Sequence, residues 1–433
     1  MVKDDNSNRI LFEKYYALAV KLVSPLSISV GSGSSSKFGL FRDLDGQLFV
    51  PGTSLAGVFR SYLRQEKDHG NFMGFVKGNS GMMSCLVIKD MFIEDACVGV
   101  RETAKQGKAG KGVFQVEIVE SGAKAVIYMH YTIRTKSKYK KEEYDAYIHK
   151  LIYGIQSGEI RIGYKKNRGF GRLEIENIYT KELEMTEREK IDENIEFKHN
   201  PRNLSLYDEK KSYEDFKYIY ANVEEQYIRL QFPLKLCGGI SIRMINGAKL
   251  TSEHVKCNGV SVVPGNSWGG IFRRGSIRIL AELLDTQEDS ELVQKLVEQW
   301  FGSNRRASLI VIGESIIEGG CDKRVSRTSI NRIDASNGNK PYSEYAHFGG
   351  TTTLEVMIRK SAGKNAEALV GMILLLVEEL NAGYINVGSQ GSIGRGMFMA
   401  NGDMKYSGIE DIGVCKKALY EFVKQGGRIN DKN

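Results

Sequence analysis

The sequence predicts an α+β protein built as two tandem units, each with its own antiparallel sheet. Three observations carry this. The phrase VPGTSLAGVFR at 50–60 returns as VPGNSWGGIFR at 263–273, with seven of eleven positions identical. A second pattern, glycine, five residues, glycine, one residue, glycine, closes each half as GYKKNRGFG (163–171) and GSQGSIGRG (388–396). Between these landmarks, stretches of strand alternation and of helical periodicity are interspersed in each half.

Each half opens on strand patterning, LAVKLVSPLSISV at 18–30 and IRLQFPLKL at 228–236, and each strand leads into a glycine-rich loop, GSGSSSKFG or CGGISIRMING. In the repeated phrase, proline stops the ladder, glycine turns the chain, and Ser54 or Ser267 is suited to cap a helix. Helical patterns follow, VFRSYLRQ in the first half, then IFRRGSIRILAELL and SELVQKLVEQWF in the second. SCLVI (84–88) matches SLIVI (308–312), so the landmarks keep their order while the second copy carries about eleven more residues, in or beside the helix after the phrase. Further strands are CLVIKDMFIED and TTTLEVMIR, and a late helix, EALVGMILLLVEELNAG, ends at Gly383. Residues 186–220 are charged and lack apolar periodicity, which reads as a linker with some helix. That places the first unit at 1–185 and the second at 221–433.

A chain of 433 residues with 41% hydrophobic and 26% charged residues has the composition of a globular protein with two cores. The 61 Lys+Arg against 53 Asp+Glu permit a polyanionic partner without demanding one. Six cysteines without a CxxC pair argue against a zinc site or a disulfide framework. The charged amino terminus and the shortness of the longest apolar run predict a cytoplasmic protein outside the membrane. No P-loop or dinucleotide fingerprint is present, which demotes nucleotide-dependent enzymes.

Chemistry concentrates in three places. The helix start after each proline suits phosphate, with Gly57 or Gly270 admitting a close backbone and Arg60 or Arg273 a turn further on. RIGYKKNRGFGR at 161–172 carries Arg161, Lys165, Lys166, Arg168 and Arg172 with Tyr164 and Phe170 interleaved and no acid, a composition suited to single-stranded RNA. KQGKAGKG (105–112) and RTKSKYKK (134–141) are further cationic segments of the kind found at hairpin tips, although a charge run by itself is most often a solvated face.

These residues resemble the RAMP superfamily of CRISPR proteins, most closely the backbone subunit of type III effector complexes. PGTSLAGVFR and PGNSWGGIFR look like the family's P-G-S-S-L-K-G-x-x-R phrase, and the late glycine patterns, the second including Arg395, look like its glycine-rich loop. MFIEDA at 91–96 is similar to its strand ending in Asp-Ala, and 98–129 and 326–358 are similar to its hairpin segment. The resemblance covers nearly the whole chain outside the linker. It implies two tandem modified RRM-like (ferredoxin-like) domains with antiparallel sheets and protruding hairpins. They would hold guide RNA by its backbone, position target RNA and assemble with other effector subunits in antiviral defence. A fused pair would occupy two consecutive positions along the guide. The RNA-binding residues so indicated are Ser54, Gly57, Arg60, Arg161, Lys165, Lys166, Arg168, Arg172, Ser267, Gly270, Arg273 and Arg395. Binding requires no cofactor.

In such complexes backbone subunits also cleave target RNA with a divalent metal such as Mg²⁺, through an Asp between the first glycine-rich turn and the PG phrase. Here Lys37 stands where that Asp is expected, and the candidates in the loops are Asp43 and Asp45 in the first half and Glu253 in the second. Two other readings remain open on the residues: a guide-precursor-processing ribonuclease using histidine, and a structural assembly protein without RNA.

Overall fold

The computed structural model describes residues 8–28, 37–64, 66, 69–105, 112–137, 140–185, 190–216, 223–244, 252–303, 305–328, 330, 332–334, 336 and 342–425. The chain divides into two compact units: residues 1–164 with 170–224, and residues 225–433 with the short segment 165–169. The interval 190–216, read from sequence as a linker, is folded within the first unit.

In the first unit the core elements run β1 (Ile10–Leu22), α1 (Gly52–Leu63), β2 (Leu86–Ile88), the hairpin β3 (Val98–Lys105) and β4 (Gly112–Val119), β5 (Lys124–Arg134), α2 (Lys141–Gln156) and β6 (Leu173–Glu184). Their pairing is β6-β1-β5-β2, all antiparallel. With the helices after the first and third of these strands, this is the ferredoxin-like order. Alternation explains the layers: Tyr16, Leu18, Val20 and Leu22 of β1 join Leu55 and Phe59 of α1 and Ile148, Leu151, Ile152 and Ile155 of α2 in one core. The opposite face of the sheet carries Tyr15, stacked on His130 at 4.5 Å and edge-on to Phe197 at 4.9 Å. Phe197 belongs to the helix Lys190–His199, so part of that face is covered by the charged segment.

The second unit repeats the plan: β7 (Tyr227–Cys237), α3 (Gly265–Leu283), α4 (Glu291–Phe301), β8 (Ile310–Ile312), the hairpin β9 (Cys321–Arg327) and β10 (Tyr342–Phe348), β11 (Thr351–Arg359), α5 (Lys364–Asn381), β12 (Met397–Ala400) and α6 (Cys415–Lys424). The sheet order is β8-β11-β7-β12, again antiparallel and again ferredoxin-like. Trp268, Phe272, Trp300 and Phe398 are fully buried in its core together with Leu369, Ile373 and Leu376 of α5. The fold class, two ferredoxin-like units with antiparallel sheets, is as the sequence predicts.

The length difference between the copies falls where the sequence places it. Helix α3 has 19 residues against 12 in α1, and α4 has 11 against 5 in the helix His69–Met73. The first unit returns part of this through the exposed two-stranded turn of Phe75–Lys77 and Ser80–Met82, which follows that helix.

Candidate nucleic-acid interface

In both units the region that carries the candidate residues is assembled the same way. After the first strand the chain runs beside the glycine-rich loop, and backbone bonds fix the two together. Gly171 N–H donates to the Pro25 carbonyl and Tyr164 N–H to that of Ser27; in the second unit Gly396 N–H donates to Gly239 and Ser389 N–H to Ser241. Ile162 N–H donates to Gly171 at 2.9 Å, and Val387 N–H to Gly396 at 2.8 Å. Lys165 and Gln390 both take the left-handed conformation, at φ 59° and 70°, and each opens a short 3₁₀ turn.

The hairpins grow from the same place in both copies, between the second and third strands of the ferredoxin order, and bond back to that first-strand segment through Leu26↔Val119 and Ile240↔His347. Residues 106–111, with the candidate cations Lys108 and Lys111, lie outside the described residues, as does Lys138 in the other cationic segment. On the second hairpin Lys323 and Arg324 are exposed, Tyr345 beside Arg324 is 40% exposed, and Arg327 is half-buried. Lys323 lies 5.7 Å from the centroid of the Phe348 ring, which Arg395 also approaches, at 5.4 Å. Sequence reasoning missed this ridge; the signal was DKRVSR, three cations in five residues on a strand.

The PG phrases form strand-to-helix junctions as expected, but with a different cap. Pro51 and Pro264 themselves occupy the N-cap position, and their carbonyls accept from Ser54 and Ser267 N–H at 2.9 Å. Proline fits because its missing N–H is not needed there and its φ is already suitable. The serines sit inside the first turn, half-buried. Nor is the helix end open to an anion. Gly52 N–H donates to the Asp90 carboxylate at 2.7 Å, and this negative partner at the positive end of α1 contributes about 1 kcal/mol. At Gly265 a Cβ would lie 2.2 Å from the Ile312 carbonyl oxygen, so the backbone there is closely covered.

The arginines of the phrases both bond to backbone carbonyls. Arg60 donates to the Met73 carbonyl at 2.7 Å and Arg273 to that of Gly302 at 3.0 Å, each closing the end of the next helix. Arg161 is buried, with Nε donating to the Gly158 carbonyl at 3.2 Å. Arg395 is buried against Glu344 at 2.8 Å. Arg161 and Arg395 are therefore interior residues that shape the site, whereas Arg273 is half-buried and Arg60 stays exposed while bonding to the helix end. Lys166 and Arg168 are exposed, Lys165 and Arg172 half-buried, and Gly57 and Gly270 lie on open helix surface with nothing within 4 Å of an added Cβ.

The cleavage candidates are not brought together. Asp43 Oδ1 accepts from Asp45 N–H at 3.0 Å and Gln47 N–H at 2.8 Å, which makes it the keystone of its own turn; Asp45 is exposed. Glu253 is half-buried on the strand Ser252–His254 in the other unit. Among the described residues no three His, Cys, Asp or Glu side chains form a group able to hold a metal ion. Of the histidines, His254 and His347 stack at 6.2 Å beneath the second hairpin. His347 ties three segments, with Nδ1 2.8 Å from Asp322 and 3.0 Å from Ser261 Oγ, and Nε2 3.1 Å from the Gly319 carbonyl.

None of the six cysteines is joined in a disulfide, and among the described residues no helix is long and apolar enough to cross a membrane. The chain matches no curated protein sequence. The RAMP superfamily model matches it twice, at residues 19–174 and 244–398, each match spanning the repeated phrase, the hairpin and the glycine-rich loop of one unit. With two matches that together cover well over half its length, the chain belongs to the RAMP superfamily and contains two of its units in tandem.

Proposed function

We propose that the chain is a guide-RNA-binding backbone subunit of a type III CRISPR effector complex, acting in the cytoplasm in antiviral defence and holding two consecutive segments of guide. The observation that supports this best is the matched pair of hairpins, each rooted on a glycine-rich loop, with Lys323, Arg324 and Tyr345 exposed on the second and Lys166 and Arg168 on the first loop. Cations along a protruding strand suit the phosphates of a single strand, and contacts of this kind read backbone rather than base.

Co-expression with a repeat-spacer array tests it. Guide RNA should survive purification in high salt, protected in two adjacent blocks. With four to six phosphate contacts, single-stranded RNA affinity should fall with a log–log salt slope of about −3 to −4. A preparation that carries no nucleic acid and binds no single-stranded RNA at low salt would sink the reading. Cleavage of a naked repeat hairpin by the chain alone would favour the processing ribonuclease.

For target cleavage, the turn role of Asp43 leads us to expect that Asp43→Asn with Asp45→Asn, which preserves the turn acceptor, leaves every cut in an assembled complex with Mg²⁺ as before. Loss of cutting at one register would instead assign the metal to this loop.

A further inference from the structure

One layer of the two hairpin roots is built from opposite chemistry, although the first root has a buried ion pair of its own, Arg101 with Glu120 at 3.4 Å. Strand register and the shared backbone bonds pair Val116 with Glu344 and Phe170 with Arg395 as equivalent positions. In the first unit Val116, Ile118 and Phe170 form a closed apolar cluster. In the second, the same space holds a carboxylate that is 1% exposed. Glu344 Oε1 lies 2.8 Å from Arg395 and 3.9 Å from Arg327; its Oε2 accepts from Gln390 Nε2 at 2.9 Å and from Ser241 Oγ at 3.3 Å. Arg327 in turn donates to Gln390 Oε1 at 3.0 Å. The chain Arg395, Glu344, Gln390, Arg327 thus runs from the interior to the outer edge of β9. A buried ion pair at a site where an apolar pair would serve equally well for stability calls for another reason, and the half-exposed guanidinium at its outer end supplies one.

We propose that Glu344 is a positioning residue that aims Arg327 at a phosphate of the bound strand, with Arg395 as the countercharge that allows the carboxylate to be buried. The proposal rests on the RNA-binding reading above. Because one guanidinium nitrogen of Arg327 is hydrogen-bonded to Gln390 and drawn toward Glu344, it meets a phosphate with part of its side-chain freedom already lost and its remaining N–H groups available.

Single-stranded RNA binding by the full chain, with Glu344→Gln, Arg327→Ala and both together, tests the aim. Each single change should weaken binding about tenfold, and the double variant should be no weaker than Arg327→Ala alone, since Glu344 acts through that residue. Losses that multiply to about a hundredfold, or a Glu344→Gln chain that binds like the parent, would overturn it. Amide exchange along Tyr342–Phe348 tests the pairing without RNA. Glu344→Val and Arg395→Phe should each strip protection, and the two together, which install the first unit's pair, should restore it. If the double variant is as unprotected as the singles, the pairing is wrong. A parent chain that binds no RNA overturns the aiming role together with the functional reading, while the exchange data still decide the pairing.

Discussion

Alanine at Gly396 should lower the stability of the second unit by about 3–5 kcal/mol, and alanine at Gly171 should do the same to the first. A Cβ at either position would stand 1.8 Å from a carbonyl oxygen, that of Val387 or of Ile162, inside a backbone hydrogen bond that fastens the glycine loop. Both residues also hold positive φ, 71° and 75°, where a side chain is strained even without a clash. For units of about 200 residues this is a fall in Tm on the order of 10 °C. The chain has two tryptophans, Trp268 and Trp300, both buried in the second unit, so tryptophan fluorescence follows that unit alone. Gly396→Ala should shift this transition, whereas Gly171→Ala should shift only the part of the circular-dichroism transition that fluorescence does not see. Gly57 and Gly270 provide the control. They lie on α1 and α3 with open space around them, so alanine there should stabilise by about 0.5–1 kcal/mol. If those glycines serve to admit RNA backbone, the same alanines will weaken RNA binding about tenfold while stabilising the fold. A destabilised Gly57→Ala chain, or a Gly396→Ala chain that melts with the parent, contradicts this division of roles.

What was legible in the sequence was what backbone geometry enforces. Gly171 and Gly396 admit no side chain, and Pro51 and Pro264 fit a helix entry where no N–H is needed, so these residues recur in both copies and mark the units. Contacts made through side chains over long separations were not legible. The carboxylate at the start of α1 comes from Asp90, 38 residues on, and the partner of Arg273 is a carbonyl at Gly302. The helix Lys190–His199 hides for a different reason: only Asn194 and Phe197 are buried, one turn apart, too few apolar positions to stand out in a charged run. Arg161 and Arg395 read as surface cations because composition cannot tell a solvated arginine from one folded inward onto a carbonyl or a carboxylate.

Acid should weaken both units between about pH 6.5 and pH 4, a window that opens above the ordinary carboxylate range. His254 is buried and accepts the Ile242 N–H at Nδ1 from 3.1 Å, so its proton sits on Nε2 and the ring is neutral. Burial, with the neighbouring His347 and Lys256, depresses its pKa to about 4 against the opposing pull of Asp322. His130, stacked on Tyr15 in the first unit, is likewise held at about 4, chiefly by burial, against the opposing pull of Glu13 and with Lys89 and Lys198 lowering it further. The unfolded chain takes up these protons as pH falls through about 6.5 while the native state refuses them until about 4. Unfolding therefore gains protons, and stability present above pH 6.5 drains away across that window, by at most about 3 kcal/mol per histidine at 1.36 kcal/mol per pH unit. Asp322 works in a lower range: held by Lys256 and His347, its depressed pKa adds stability that is lost only as pH falls below the ordinary aspartate range. His254→Asn, whose side-chain oxygen can still accept from Ile242, should flatten the tryptophan-monitored stability of the second unit between pH 6.5 and 4 and leave the steeper loss below pH 4 in place. An unchanged slope in that variant would show that proton uptake by other groups, rather than the buried imidazole beneath the hairpin, sets the acid sensitivity of the second unit.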